Sequence, residues 1–246
     1  MPKLEPYDRK LSYSYALGVF PALHLLNARP ETVVRLLTHP DGARNEGVLK
    51  LSERCRLLGI REEEAERVIR REARKDNCYA ALVFDKYEDA LRADRPHVVL
   101  CQISDFGNLG TALRACLGFG FEDVALIRPC ADVFDPRVIR ASMGAIFQMN
   151  VAVFDSFEAY RARHAAHALY PFMLTGAQPL GSAARAARTL YALVFGNEQT
   201  GLPAQFAELG TPVFIPQSDK IDSLNLAMAV SIGTYAFRAA EEEHGD

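Results

Sequence analysis

The chain has 246 residues, 49% of them hydrophobic, which is enough to bury a substantial core in one large domain or two modest ones. Its net charge of -3 gives no overall attraction to nucleic acid, so RNA binding would require a local basic patch. The sequence shows neither a secretory signal layout nor an apolar run of about eighteen residues, which argues against secretion and membrane spanning.

The first 94 residues have the pattern of a small α/β domain. Apolar periodicity predicts, in chain order, a helix over 15–26, a strand over 32–39, a helix over 43–59 and a strand over 78–84. Gly59 fits the end of the second helix. A polar stretch over residues 85–97 separates this unit from the rest of the chain, and we place the domain boundary near Asp94.

A charged helix is predicted over residues 61–76, where Glu63 to Arg67 and Glu66 to Arg70 have the favourable i,i+4 order. Basic residues collect in its second half: Arg67, Arg70, Arg71, Arg74 and Lys75. Two interpretations of this basic cluster stay open. It is either a solvated helix end whose cations complement the helix dipole, or a patch that contacts phosphate groups.

From residue 95 to 246, β-rich runs alternate with helical segments. The predicted strands are 97–101, 123–127, 149–154, 169–175, 189–195 and 211–215. Helices are predicted between them and over the apolar stretch that ends at Phe237. Alternation of this kind predicts an α/β fold, a mostly parallel sheet with helices on both faces. Ligands bind such sheets at the carboxyl ends of the strands.

The loop after the first of these strands reads DxGxxG over residues 105–110, as in a glycine-rich nucleotide loop. A classical Rossmann site also needs an acidic residue at the end of the second strand, and Arg128 follows that strand instead. Asn108 fits a helix N-cap. Arg114 lies in an otherwise apolar helix, so we expect it to be buried against a partner such as a phosphate.

Two later strand ends also carry polar residues. In GNEQTGLP, glycines flank Glu198 and allow a ligand to approach the backbone closely, although a surface turn would have the same composition. In DSLNLA, Ser223 and Asn225 open the final apolar helix, where capping residues are usual. A helix that is apolar all round is predicted to be buried on every side. Small residues along it permit close packing: Ala227, Ala229, Gly233 and Ala236.

The cysteines form an odd set of five without a CxxC pair, which argues against a disulfide framework and a zinc knuckle. They are Cys55, Cys78, Cys101, Cys116 and Cys130. We interpret them as reduced thiols of a cytoplasmic protein.

Taken in order, the three loops resemble the three motifs of the SpoU (TrmH-like) branch of the SPOUT RNA methyltransferases. The matching stretches are SDFGNLGTALRACLGFGFEDVALI, LVFGNEQTGLP and IPQSDKIDSLNLAMAVSIGTYAF. The resemblance covers about residues 96–240. The common Asp-Pro of motif one is replaced by residues 105–107, Asp-Phe-Gly, whereas Asn108 and Arg114 are kept. The first 94 residues resemble the ribosomal-protein-like RNA-binding domain of many members.

The resemblance implies a SPOUT fold with a C-terminal deep trefoil knot, in a homodimer whose active site draws on both subunits. It implies methyl transfer from S-adenosylmethionine, without a metal, to a ribose 2′-hydroxyl of tRNA or rRNA, leaving S-adenosylhomocysteine. The cofactor-binding residues it implies are Thr175, Gly176, Gly196, Asn197, Ile215 and Leu224. The catalytic residues it implies are Asn108, Arg114, Glu198, Ser223 and Asn225.

The family's motif-one arginine is often assigned as the general base, which a guanidinium pKa above about 12 opposes. We therefore expect Arg114 to be essential for fixing the target phosphate or lowering the hydroxyl pKa. Ser223, Asn225 or water would then relay the proton. Two alternatives stay open: a non-catalytic RNA-binding or assembly protein that retains the cofactor pocket, and a classical Rossmann nucleotide-binding enzyme.

Overall fold

The computed structural model describes residues 4–74, 77–174, 177–187 and 189–244, and the chain divides into two compact units. The first consists of Met1–Glu88 with Asp132–Gln148, and the second of Asp89–Ala131 with Met149–Asp246. The sequence-based division into 1–94 and 95–246 therefore differs at two places: residues 89–94 belong to the second unit, and the segment Asp132–Gln148 belongs to the first. This segment joins the first unit because Phe134 and Phe147 place their rings 5.9 and 5.3 Å from that of Phe84.

The first unit is an α/β sandwich of one sheet and several helices. Its elements up to residue 85 are β1 (Tyr13–Leu17), α1 (Val19–Ala28), β2 (Val33–Thr38), α2 (Glu46–Leu57), β3 (Arg61–Glu64), α3 (Glu66–Ala73) and β4 (Ala80–Asp85). In the described part of this unit, four strands form the order β1-β4-β2-β3. Strand β4 is antiparallel to β1 and β2, whereas β3 is parallel to β2. Gly59 follows α2 with a φ of 69°, as its predicted place at the helix end requires.

The helix predicted over residues 15–26 is wrong in its first part. Residues 13–17 form β1, which pairs along its whole length with β4, and α1 begins only at Val19. Gly18, with a φ of 91°, separates the two elements. The continuous apolar run reflects a strand buried between neighbours, which periodicity alone does not distinguish from a buried helix.

The charged helix predicted over residues 61–76 is also shorter than expected. Residues 61–64 form the edge strand β3. Glu63 therefore accepts from Arg35 at 3.0 Å and does not pair with Arg67. Within α3 the predicted pair does form, since the Arg70 guanidinium lies 3.1 Å from the Glu66 carboxylate. Lys75, the last member of the predicted basic cluster, lies outside the described residues.

The second unit is built on a parallel sheet. Continuing along the chain, the elements are β5 (His97–Cys101), α4 (Phe106–Gly118), β6 (Asp123–Ile127), α5 (Pro136–Ala141, in the first unit), β7 (Asn150–Phe154), α6 (Phe157–Arg163), β8 (Ala168–Pro171), β9 (Gln178–Pro179), α7 (Leu180–Arg185), β10 (Tyr191–Phe195), α8 (Phe206–Leu209), β11 (Val213–Phe214) and α9 (Leu226–His244). Five strands of the described chain form the order β7-β6-β5-β10-β8, all parallel. This confirms the predicted α/β fold with a mostly parallel sheet.

The short strands β9 and β11 pair with each other. Val213 of β11 also forms a parallel bridge with Phe172, directly after β8, so the strand predicted over 211–215 reaches the β8 edge of the main sheet through one bridge only. All residues of β5, β6 and β10 are buried, as expected for parallel strands covered on both faces. None of the helices that the structure describes is long and apolar enough to cross a membrane.

Helix α9 packs against α4 and α7 and leaves one face open. Met228, Ile232 and Tyr235 are exposed by 59%, 38% and 59%. The prediction that this helix is buried on every side is therefore wrong for the single chain. The i, i+4, i+7 spacing of the three residues places them on one face, which we call the α9 apolar stripe.

Candidate active site

Three loops of the second unit meet through a chain of side-chain hydrogen bonds. The Asn225 amide, at the start of α9, donates to Asn108 Oδ1 at 2.9 Å. The Asn108 amide in turn donates to Glu198 Oε1 at 3.3 Å. Because β5 and β10 are parallel, the loops that follow them lie at the same edge of the sheet. The structure thus brings together three of the five predicted catalytic residues.

Asn108 is not the N-cap that its position suggested. Asp105 caps α4, and its carboxylate accepts from the Asn108 backbone N–H at 2.7 Å. Asn108 therefore lies inside the first turn with its side chain available to other loops. Since a carboxylate can only accept, the amide nitrogen of Asn108 faces Glu198 and its oxygen faces Asn225.

The loop over residues 196–202 is held in shape by its own residues. A Cβ added to Gly196 would lie 2.5 Å from the carbonyl oxygen of Gly201, so this position admits only glycine. The Asn197 side chain accepts from the N–H groups of Gln199 and Thr200 at 2.9 and 3.3 Å.

Asn197 also connects this loop to its neighbour. Its amide donates to the carbonyl oxygen of Gln102 at 2.8 Å, and Gln102 has a φ of 59°. Asn197, which was predicted to bind a cofactor, lines the cavity described below, and its side-chain hydrogen bonds hold two loops of the protein together. The sequence carries no signal for Gln102, because its contribution is a backbone carbonyl.

The start of α9 combines capping with the site. Asn225 Oδ1 accepts from the Ala227 N–H at 2.9 Å, which is an N-cap bond, while its amide nitrogen reaches Asn108. Ser223 is exposed and makes no side-chain hydrogen bond with any residue that the structure describes. Both the oxygen and the nitrogen of the Asn225 side-chain amide thus make hydrogen bonds within the protein, whereas the Ser223 hydroxyl is available to a ligand.

A cavity of about 440 Å³ lies beside this hydrogen-bonded set. It is lined by the segments that follow β8 and β10 and by residues on both sides of the start of α9. Predicted site residues in its lining are Gly196, Asn197, Glu198, Ile215, Ser223 and Leu224. Thr175 and Gly176, which were also predicted to bind a cofactor, lie outside the described residues.

Two aromatic rings form part of the cavity wall. Phe172 and Phe195 stack with centroids 4.2 Å apart and planes 23° apart. Gly233 of α9 packs beneath them, and an added Cβ would lie 2.7 Å from the Phe172 ring. The predicted close packing of α9 at Gly233 is therefore made against aromatic rings. Sequence reasoning missed Phe172 because an apolar residue at a strand end carries no site signal.

The position of Arg114 differs from the one predicted. It is exposed on α4, does not line the cavity, and has no hydrogen bond or ion pair with any described residue. The expectation that it is buried against a partner is wrong for the single chain. A guanidinium in water needs no protein partner, so its exposure costs nothing.

Comparisons with known proteins agree with this arrangement. The sequence profile of the SpoU rRNA Methylase family matches residues 95–235. A tRNA/rRNA methyltransferase of Synechocystis, named as uncharacterized, is 32% identical over 176 residues, which cover 66% of this chain and 60% of that protein. A tRNA (cytidine/uridine-2′-O-)-methyltransferase of Salmonella typhimurium is 31% identical over 163 residues, covering 61% of this chain and 67% of that protein.

Solved structures of methyltransferases match nearly the whole chain. The AdoMet-bound rRNA methyltransferase of Sinorhizobium meliloti has a TM-score of 0.78 and 26% identity, covering 93% of this chain and 87% of that one. The family profile spans more than half of the 246 residues and includes all three motif loops. The predicted resemblance is thereby confirmed: the chain belongs to the SpoU rRNA methylase family.

Proposed function

We propose that this protein transfers a methyl group from S-adenosylmethionine to a ribose 2′-hydroxyl of structured RNA, either tRNA or rRNA. The observation that carries the proposal is the hydrogen-bonded set of Asn225, Asn108 and Glu198 beside the cavity. The activity for which the Salmonella relative is named and the AdoMet bound to the Sinorhizobium structure support it.

The cavity suits S-adenosylmethionine in volume and charge. Its volume of about 440 Å³ is within the range of small-molecule sites. Among the described lining residues, the charged ones are Glu198 and Asp222, and two carboxylates favour a ligand that carries a sulfonium and an ammonium group. When bound, the cofactor supplies a methyl group on a positively charged sulfur. We assign its binding to Gly196, Ile215 and Leu224, with Thr175 and Gly176 added by family resemblance.

The protein's own task is to align the ribose hydroxyl and to help remove its proton. Asn225 is committed at both ends of its amide, so we assign the proton relay to Ser223 or to a water beside it. Arg114 carries a permanent charge that suits the RNA phosphate and lowers the pKa of a nearby hydroxyl. Asn108 and Glu198 hold the loops in the geometry that this alignment requires.

The surface of the second unit supports the proposal of a homodimer. The α9 apolar stripe is exposed, and exposed apolar patches mark interaction sites. Helix α4, which carries Arg114, packs against α9. We therefore propose that two copies associate through α4 and α9 and that Arg114 serves the site formed with the partner subunit. As in the family, we also propose a C-terminal trefoil knot, which the shared cavity of the second and third loops supports.

We propose that the first unit binds the RNA substrate. On α3, Arg70 is paired with Glu66 and Arg71 with Glu72, at 3.1 and 2.6 Å. Arg67 and Arg74 are exposed and unpaired among the described residues, so they are the members of the basic cluster that we assign to phosphate contacts. A cytoplasmic location is consistent with five cysteines that are all free.

The test is methyl transfer from labelled S-adenosylmethionine to tRNA and to rRNA in separate reactions, with matched unlabelled competitor RNA. We expect label in one of the two RNA classes. A non-catalytic RNA-binding protein would bind RNA and cofactor without transferring label, and that result would contradict the proposal. Binding of a nicotinamide cofactor in place of S-adenosylmethionine would favour the Rossmann alternative.

A further inference from the structure

Three histidines of the second unit form a buried cluster that methyl transfer does not use. His97 begins β5, His164 follows α6 and His167 precedes β8, with exposures of 0%, 8% and 3%. The ring of His97 stacks on that of His167 at 4.0 Å and meets that of His164 edge-on at 4.7 Å. One ring nitrogen from each histidine lies within 4.8 Å of those of the other two.

Backbone carbonyls fix the tautomers of two of these rings. His97 Nε2 lies 2.8 Å from the carbonyl oxygen of Arg92, and His167 Nε2 lies 2.8 Å from that of Arg95. A carbonyl only accepts, so both Nε2 atoms carry the proton and both Nδ1 atoms keep a lone pair. Histidines that bind metals are commonly oriented in this way, with the second nitrogen donating to a backbone carbonyl.

Two nitrogen lone pairs inside the cluster accept no hydrogen bond from the described residues. His164 Nδ1 and His167 Nδ1 are buried and have no hydrogen-bond partner among the described residues. His97 Nδ1 lies 3.0 Å from the Tyr160 hydroxyl, from which it accepts. Buried polar atoms without partners are rare in folded proteins, and two in one cluster indicate a missing ligand.

We propose that His97, His164 and His167 bind one divalent transition-metal ion, zinc, through three ring nitrogens, with water in the fourth position. Imidazole is a preferred ligand of zinc and a poor one of magnesium. At zinc–nitrogen distances of about 2.0–2.1 Å, the three nitrogens lie about 3.4 Å apart, so those of the cluster, which are within 4.8 Å of one another, must move together. The rings of His97 and His167 must also tilt out of their stack, whose planes are 25° apart, because both lone pairs have to point at one ion. Arg161 donates to the carbonyl oxygens of His164 and His167 at 3.3 and 2.9 Å and so holds the backbone of the turn, and we expect the side chains to make this adjustment.

The proposed ion is structural and has no part in methyl transfer. His97 opens β5, whereas the loop that carries Asn108 follows the other end of this strand, about 13 Å away along a five-residue strand. Zinc would tie β5 to the turn between α6 and β8.

The experiment uses the full-length chain after removal of metals with a chelator. Zinc binding is measured by calorimetry and by the thermal unfolding midpoint, with magnesium as the control ion. We expect one zinc per chain and a rise in the midpoint with zinc and not with magnesium. Binding of no zinc at this stoichiometry would overturn the proposal.

A matched pair of variants identifies the ligands. His164→Phe keeps a ring in the same space and removes an unpaired nitrogen, so the metal-free variant should fold with an unchanged or higher midpoint. We expect it to lose at least ten-fold in zinc affinity, while His24→Gln, outside the cluster, binds as the wild type does. Equal zinc binding by His164→Phe would overturn the proposal.

The zinc affinity of Tyr160→Phe distinguishes a metal site from three histidines that only pack against one another. The change removes the hydroxyl that competes for His97 Nδ1. We expect a lower midpoint without metal and a several-fold higher zinc affinity. An unchanged affinity would overturn the assignment of His97 Nδ1, and with it the three-histidine site, even if His164→Phe failed to fold.

Discussion

Asn108 is the residue that connects the three motif loops. It accepts from Asn225 at 2.9 Å, donates to Glu198 at 3.3 Å and has its own backbone N–H bonded to Asp105. An amide meets both demands because it has a donor and an acceptor. A carboxylate of the same shape has no donor, so the position distinguishes Asn from Asp.

We therefore expect Asn108→Asp to lower the kcat of methyl transfer at least ten-fold, and by more than Asn108→Ala does. The added carboxylate would face Glu198, and two like charges at hydrogen-bond distance repel. Steady-state kinetics at pH 7 with a thermal unfolding control measures the effect. Retention of half the wild-type kcat by Asn108→Asp would show that the Asn108–Glu198 bond is not needed.

Arg114→Ala should lower the rate of methyl transfer at least a hundred-fold. It should leave the affinity for S-adenosylmethionine within a few-fold of that of the wild type. The reason is that Arg114 is exposed and lies outside the lining of the cavity. Calorimetric cofactor binding and single-turnover transfer separate the two effects. Arg128→Ala, which removes an exposed arginine paired with Asp155 at 3.4 Å, is the control and should stay active. Loss of cofactor binding in Arg114→Ala would show that its role is misassigned.

At the scale of the secondary-structure element, the site depends on how α9 begins and how the loop after β10 turns. The N-cap bond of Asn225 and the link to Asn108 come from one side chain. Ser223 stands two residues earlier and contributes no side-chain hydrogen bond within the described chain. The same short stretch thus contains one residue that stabilises the fold and one that is free for chemistry.

Asn225→Ala should lower the free energy of unfolding by about 1 kcal/mol, the usual cost of losing an N-cap. Ser223→Ala should leave the free energy of unfolding unchanged and still reduce kcat, because Ser223 lines the cavity and its hydroxyl has no hydrogen-bond partner among the described residues. Denaturant unfolding and methyl-transfer kinetics on the two variants give the comparison. Equal stability losses in both would contradict this division of roles.

Gly196→Ala should abolish S-adenosylmethionine binding, because the new methyl group would collide with the backbone of Gly201 and force the loop open. Gly118→Ala is the matched control, since an added Cβ there meets nothing within 4 Å. We expect it to bind cofactor normally and to be as stable as the wild type or more so. Calorimetric titration of both variants measures the difference, and normal binding by Gly196→Ala would contradict the proposed role of the loop.

At the scale of the whole molecule, the exposed face of α9 is the feature that a single chain leaves unexplained. The proposed second copy of the chain would cover the exposed α9 apolar stripe and would lie near α4, which carries the exposed Arg114 and packs against α9. The exposure of Arg114 and that of the stripe therefore have one proposed cause.

Ile232→Lys should dissociate the proposed homodimer and reduce methyl transfer by at least ten-fold, because it places a charge in the α9 apolar stripe. Leu209→Lys, at a position that is 47% exposed on α8, is the control and should remain dimeric. Analytical ultracentrifugation reports the assembly. A monomeric wild type with full activity would contradict the shared site.

Much of the second unit was predictable, because parallel strands present their carboxyl ends together and polar residues there, such as Glu198 and Asn225, are conspicuous in sequence. The strand Tyr13–Leu17 was not, since its partner β4 lies far along the chain and a buried strand has no alternation. The exposure of Arg114 was missed because an arginine in an otherwise apolar helix gives no signal for whether its face of the helix is buried or open to water. The histidine cluster was not predicted, because His97 lies far in sequence from His164 and His167 and only the fold brings the three together.

The measurement that tests the central claim most directly is alkaline hydrolysis of RNA methylated by the purified protein with labelled S-adenosylmethionine. A 2′-O-methyl group blocks attack on the adjacent phosphodiester. We therefore predict that the label appears in alkali-resistant dinucleotides, at a single sequence position, and is absent when Arg114→Ala replaces the wild type. Label in mononucleotides would place the methyl group on a base and contradict the proposed ribose 2′-hydroxyl chemistry.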